Sequence, residues 1–136
     1  MDFALTAEQE QLRDTLRCFV TREYGFDRRR AIAASPEGMS PEIWHQFAEL
    51  GLLALGIPEA LGGLGGGPVD TMLVMEELGR GLVLEPYLST AVLGTRLLVD
   101  SGSAAQHSAL LAPVAAGRCR DLDARNGSGR NLSRTA

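Results

Sequence analysis

The chain has 136 residues, 45% of them apolar and 22% charged, which suffices for one globular helical core but not for two catalytic domains. Its formal charge of −4 is uneven: residues 1–117 carry 8 Arg against 15 Asp and Glu, while residues 118–136 carry 5 Arg against 2 Asp. An acidic body argues against nucleic-acid binding, and the absence of lysine excludes both Schiff-base chemistry and a Walker lysine.

Thr6 followed by Gln9 reads as a capping box, and Leu12, Leu16, Phe19 and Val20 then recur at helical spacing, so the first helix is expected from Ala7 to Arg22. A short second helix is expected from Asp27, as cap, to Ala34, with "SPEG" as its end. Ser40-Pro41 opens a third, with Ile43, Phe47 and Leu50 as its buried stripe and Gly51 as its stop. The segment "GLLALGIPEALGGLGGG" follows; its first half reads as extended and its second as irregular. Pro68 starts a fourth helix, to Arg80, with Val69, Met72, Leu73 and Leu78 inward. Pro86 opens a fifth, from Glu85 to Ser101, with Leu88, Ala91, Val92, Leu98 and Val99 as its core face. Leu84, Leu93 and Leu97 make this helix apolar nearly all round, which implies that it is central or faces a second greasy surface. Ser103 and Gln106 form another capping box; the last helix then turns Leu110, Leu111 and Val114 inward and stops at Gly117.

Residues 118–136 show no period and few apolar groups, so a disordered tail is expected there. The expected architecture is all-α: a five- to six-helix antiparallel bundle over residues 1–117. The start "MDFALTAEQE" lacks a leader pattern, and the apolar stretch Leu82 to Val99 is broken by Glu85, Pro86 and Arg96, so a cytoplasmic protein without a membrane span is expected. Cys18 and Cys119 have no paired spacing and read as reduced and structurally incidental.

The glycine-rich segment fails both phosphate motifs. In G-x-G-x-x-G, Gly63 and Gly65 supply the first two positions but the third falls on Pro68; a Walker loop needs lysine where Pro68 follows Gly67. It reads as a connector that aims the helix from Pro68. Glu42 and His45 form one Glu-x-x-His pair, whereas helical di-iron sites need two copies with two further carboxylates, and His107 has Ala104 in place of the second Glu. No metal ligand set and no catalytic set is assigned. Adjacent Glu76 and Glu77 diverge by about 100° on a helix and read as a solvated face. Arg28 to Arg30 read as a surface run paired with Asp27 or Glu23.

In combination, several segments resemble the flavin-dependent acyl-CoA dehydrogenases. "MDFALTAEQEQLRDTLRCFV" resembles their opening helix, "WHQFAELGLLALGIPEALGGLGGGPVDTMLVMEELGRGL" the block after it, and "LLAPVAAGR" the helix before their central domain. "LVLEPYLSTAVLG" is most similar to the pimeloyl-CoA dehydrogenase small-subunit branch.

The resemblance covers residues 1–117 and implies the N-terminal helical domain of an enzyme that desaturates an acyl-CoA substrate with FAD. It implies that Tyr87, Leu88, Ala91 and Val92 line one wall of the acyl pocket. The family's Thr-Glu-Pro and Gly-Ser flavin motif is missing from "CRDLDARNGSG", and its catalytic glutamate has no counterpart, so neither catalytic nor cofactor-binding residues are assigned. Alone, the chain is expected to hold no FAD. The composition shift after Gly117 suggests a truncation by a changed reading frame. The alternative reading is a non-catalytic helical subunit that docks onto a full-length dehydrogenase, in a homo- or hetero-oligomer.

Overall fold

The computed structural model of the chain describes residues 4–119, so most of the tail expected at 118–136 lies outside the described residues. Six α-helices are present among them and no strand: α1 (Ala7–Glu23), α2 (Phe26–Ala33), α3 (Pro41–Glu49), α4 (Pro68–Arg80), α5 (Thr95–Ser101) and α6 (Ala104–Ala115). A π-helical segment, Leu88–Gly94, runs directly into α5. The described chain divides into two compact units, the first made of residues 4–44 and 66–85, the second of residues 45–65 and 86–119. The division falls inside α3, between Trp44 and His45.

In the first unit α1 packs on α4. α1 buries Leu16, Phe19 and Val20, and α4 buries Leu73, Val74 and Leu78; removing such side chains from water is worth about 1.5–3 kcal/mol each. The capping box at Thr6 forms as expected, and Gln9 does double duty: its Oε1 accepts from the Thr6 N–H while its Nε2 donates to Asp70 Oδ1 at 3.1 Å. Asp70 in turn accepts the Gly67 N–H at the start of α4. Further along, Arg17 meets Glu77 and Tyr24 meets Leu84, so the partners stay 61, 60 and 60 residues apart. A constant offset means that α1 and α4 run parallel, a pairing the antiparallel expectation did not contain.

α2 starts one residue before the expected cap: Gly25 holds the extended N-cap position, and Asp27 lies inside the first turn. Val69 and Met72, expected inward on α4, are exposed, because the α1-facing side of α4 is set by Leu73, Val74, Glu77 and Leu78. α4 ends in a Schellman motif: Val83 N–H donates to the Leu78 carbonyl and Leu82 N–H to the Gly79 carbonyl. The left-handed residue of that motif is Leu82, at φ +49. Gly81 just before it is a matter of space, since a Cβ there would overlap Val20 Cγ1.

In the second unit, the half of the glycine-rich segment expected to be extended instead forms a 3₁₀ turn, Leu52–Ala54, and the half expected to be irregular opens with another, Glu59–Leu61. Leu52, Leu53 and Ile57 are buried with Phe47, Tyr87, Leu111 and Val114. Leu50, expected in the buried stripe of α3, is exposed: α3 ends at Glu49, and Gly51 at φ +75 turns the chain back so that Leu52 and Leu53 take the core positions. The capping box at Ser103 and Gln106 starts α6 as expected. His107 Nε2 donates to the Leu98 carbonyl at 2.8 Å, which also accepts the Gly102 N–H and so closes the turn between α5 and α6.

Candidate functional site

The four residues expected on the pocket wall lie at the start of the π segment in the second unit. Its defining bond runs from the Thr95 N–H to the Thr90 carbonyl, five residues back, and the Thr95 hydroxyl donates to the same oxygen at 3.0 Å. Both threonines are buried, so the widened turn is held by a group that has no competing solvent partner. π-helical geometry is usually confined to single turns and recurs at functional positions. Here it spans seven residues.

The widening changes which side chains share a face. Tyr87 and Ala91 point into the core of the unit. The Tyr87 hydroxyl donates to the Leu52 carbonyl at 3.2 Å, and its ring meets Phe47 edge-on at 6.3 Å between centroids. Burial pushes the Tyr87 phenol well above its ordinary range. A Cβ on Gly56 would make only ordinary contact with the Ala91 carbonyl. Leu88, expected on the core face, is 48% exposed; Leu93 and Leu97 are 60% and 53% exposed, and Val92 is half-buried. The intervals of five and four residues from Leu88 to Leu93 to Leu97 keep three leucines outward, where an α-helical count had spread the apolar residues over both faces. The accepting atom at position 90 is a backbone carbonyl, which any residue supplies, so no residue pattern announces the widened turn in the sequence.

The glycine-rich segment behaves as a connector. The Gly63, Leu64 and Gly65 N–H groups donate to the Pro58, Ala54 and Ile57 carbonyls, so these amides are already satisfied and offer no cradle to a flavin pyrophosphate. A Cβ on Gly63 would overlap the Ile57 carbonyl, which explains a glycine there without a ligand.

The remaining candidates have structural partners. Glu42 pairs with Arg28 at 3.2 Å, and His45 lies 3.6 Å from Glu49, both on exposed side chains. No group of three or more His, Cys, Asp or Glu that could hold a metal ion is present among the described residues.

The solvated reading of Glu77 is overturned. Its side chain is 1% exposed, and its two oxygens receive Arg17 Nη2 at 2.7 Å and Arg17 Nε at 3.3 Å, with Arg80 Nε at 3.5 Å. The hydrogen bonds to Glu77 raise the Arg17 guanidinium above its ordinary value. Glu76, in contrast, is exposed and pairs with Arg80. Glu77 looked solvated because its main partner lies 60 residues away in sequence.

Tyr24 and Glu85 form a second buried cluster. The Tyr24 hydroxyl donates to Glu85 Oε2 at 2.7 Å and accepts the Leu84 N–H at 2.9 Å, and Glu85 Oε1 accepts the Ser40 N–H at 2.9 Å. A surface hollow of about 370 Å³ lies beside Arg17, Tyr24, Glu77 and Arg80, whose charged groups are already committed to one another.

Among the described residues no helix is long and apolar enough to cross a membrane. The profile of the acyl-CoA dehydrogenase N-terminal domain matches residues 6–118. Acyl-CoA dehydrogenase IpdE2 of Mycobacterium tuberculosis is 39% identical over 100 residues, covering 73% of this chain and 31% of that protein. Mitochondrial isovaleryl-CoA dehydrogenase of Pongo abelii is 34% identical over 116 residues, covering 83% and 27%. Among solved structures, a Tcur3481–Tcur3483 steroid ACAD variant matches with TM-score 0.75 at 30% identity over 83% of this chain and 31% of that one. The ChsE4–ChsE5 complex from Mycobacterium tuberculosis matches with TM-score 0.70 at 27% identity, over 86% and 30%. The chain therefore spans between 27% and 31% of the length of these relatives. With the profile matched across nearly all described residues, the chain belongs to the acyl-CoA dehydrogenase family and carries its N-terminal helical domain.

Proposed function

We propose that this domain serves the α,β-desaturation of an acyl-CoA by supplying one apolar wall of the acyl-chain pocket, with FAD and the reacting groups held by other polypeptide. The observation that carries the proposal is the π segment, which anchors Tyr87 and Ala91 inward and turns Leu88, with Val92 beside it, toward the outside. In this reading Leu88 and Val92 meet the acyl chain, while Tyr87 and Ala91 hold the wall from behind. An apolar chain lying along such a face gains roughly 25 cal/mol per Å² of surface withdrawn from water.

The test is a titration of the purified chain, carrying ¹³C-methyl leucine and valine, with decanoyl-CoA, a steroid-derived acyl-CoA and free CoA. The steroid probe is included because a structural neighbour is a steroid ACAD. The Leu88 and Val92 methyls are expected to shift with both thioesters and not with free CoA. Equal shifts with free CoA, or none at these methyls, would reject the wall. An absorption spectrum of the same sample is expected to lack a flavin band; a tightly held flavin would contradict the division of labour.

The second reading is a helical subunit that docks onto a dehydrogenase. It is favoured by the two-protein assemblies among the structural neighbours and by the exposed leucines, which a partner would cover. Co-purification with a co-expressed full-length dehydrogenase of the same family would support it.

A further inference from the structure

The acyl-pocket reading leaves α2 unused. One side of this helix packs inward through Ile32, with Arg28 and Arg29 half-buried. At about 100° per residue, Phe26, Asp27, Arg30, Ala31 and Ala34 fall together on the opposite side, and all are exposed. Phe26 is 73% exposed, the most of any large hydrophobic residue described. Arg30 lies over its ring at 5.8 Å. Asp27 and Arg30 stand three residues apart on this face, yet neither forms an ion pair among the described residues. Arg28 of the same run is spent on Glu23 and Glu42. Arg29 donates to the Leu82 carbonyl at 2.8 Å and so brings exposed Leu82 beside this helix.

This pattern is complementary to itself. If a second copy lies across α2 with its helix reversed, about a two-fold axis near residues 28 and 29, position 27 faces position 30 of the partner, and position 26 faces position 31. Each Asp27 then meets an Arg30, twice, and each Phe26 ring enters the gap left by the small Ala31 and Ala34. A two-fold contact repeats every interaction, so one favourable pair becomes two. The acidic chain offers few cations for such pairing, and Arg30, whose guanidinium lies over the Phe26 ring, has no carboxylate partner among the described residues. We propose that the exposed face of α2 is a homodimer contact: Phe26 against Ala31 and Ala34, bordered by reciprocal Asp27–Arg30 ion pairs. The proposal does not depend on the acyl-pocket reading. A helix of 8 residues buries less than the roughly 800 Å² per partner of a standard interface, so the dimer is weak, with Kd on the order of 100 μM.

Sedimentation equilibrium of the purified chain over a concentration series spanning that Kd is the test. The wild-type chain is expected to dimerise reversibly, and Phe26→Ala to weaken the dimer at least tenfold. Asp27→Arg puts Arg against Arg across the axis, and Arg30→Asp puts Asp against Asp, so each variant alone is expected to remain monomeric. A mixture of the two variants restores both ion pairs and is expected to form a heterodimer about as tight as the wild-type dimer. A misfolded variant could not produce that rescue, and far-UV circular dichroism of each chain checks folding independently. A monomeric wild type, a dimer indifferent to these substitutions, or a mixture that stays monomeric would each overturn the proposal.

Discussion

The two units solve the problem of a unique packing by different means. The first relies on buried polar ties: Glu77 with Arg17 and Arg80, and Glu85 with Tyr24 and the Ser40 amide. The second relies on close approach in an apolar core, with Gly63 against the Ile57 backbone and Tyr87 edge-on to Phe47. Polar ties are directional and leave an unsatisfied charge or donor when one member is lost. Close approach has no direction but tolerates no added volume. The units should therefore fail under different insults: the first when a partner is removed, the second when an atom is added.

The largest effect expected from that contrast is in the second unit. Gly63→Ala places a methyl where the Ile57 carbonyl already sits, and the obstacle is backbone, which cannot swing aside as a side chain tip does. We expect a loss of about 3–5 kcal/mol, measured by urea denaturation. Hydrogen exchange sharpens the comparison: amides of residues 45–65 and 86–119 should lose protection first, while α1 and α4 keep theirs. Equal loss in both regions would mean that the division has no counterpart in stability.

How much of this was legible in the sequence follows the same contrast. Features encoded within a few residues were read correctly: the capping boxes at Thr6 and Ser103, and the span of α4 from Pro68 to Arg80. Features that depend on a distant partner were not. Glu77 reads as surface until Arg17 is brought to it, and Val69 and Met72 read as core because the position of α1 against α4 was unknown. The candidate wall rests on resemblance, and Leu88, expected on the core face, is exposed. A period of 3.6 was applied where the Thr90–Thr95 bond sets a longer one. The glycine-rich connector was legible by what its motifs lacked, while its 3₁₀ turns were not.

The next effect belongs to the first unit. Tyr24→Phe removes the hydroxyl that joins Glu85 to the Leu84 amide and leaves a buried carboxylate oxygen and a backbone N–H short of a partner. A loss of about 1–3 kcal/mol is expected. Burial first, and the bond to Glu85 second, raise the Tyr24 phenol above its ordinary range. Its neutral form is therefore favoured in the folded state. That contribution is complete below the unfolded value near 10 and declines as pH rises past it, because the unfolded chain then ionises while the folded one does not. Tyr87, raised by burial, adds a decline of the same sign in the second unit. Urea titrations from neutral to strongly alkaline pH should show the Tyr24→Phe chain less stable at neutrality but with a shallower alkaline fall. An unchanged alkaline slope would mean that Tyr24 does not stay neutral in the fold.

The smallest effect is a gain, and it lies where the first unit departs from its own rule. At the end of α4 two adjacent residues meet two different demands. Position 81 must lack a side chain because Val20 passes too close, and position 82 must adopt φ +49 to complete the Schellman motif. Glycine answers the first demand; Leu82 answers the second at a cost of about 1–2 kcal/mol in backbone strain. Its side chain recovers little of that, being 63% exposed. Leu82→Gly removes the strain but adds about 0.5–1 kcal/mol of unfolded-state entropy, so a net gain of about 0.5–1 kcal/mol is expected as a rise in Tm of a few degrees. The Arg29 bond to the residue 82 carbonyl is made by the backbone and survives the change. A fall in Tm would show instead that the leucine side chain supports the first unit through contacts that outweigh its strain. The close-approach logic of the second unit would then extend to this turn as well.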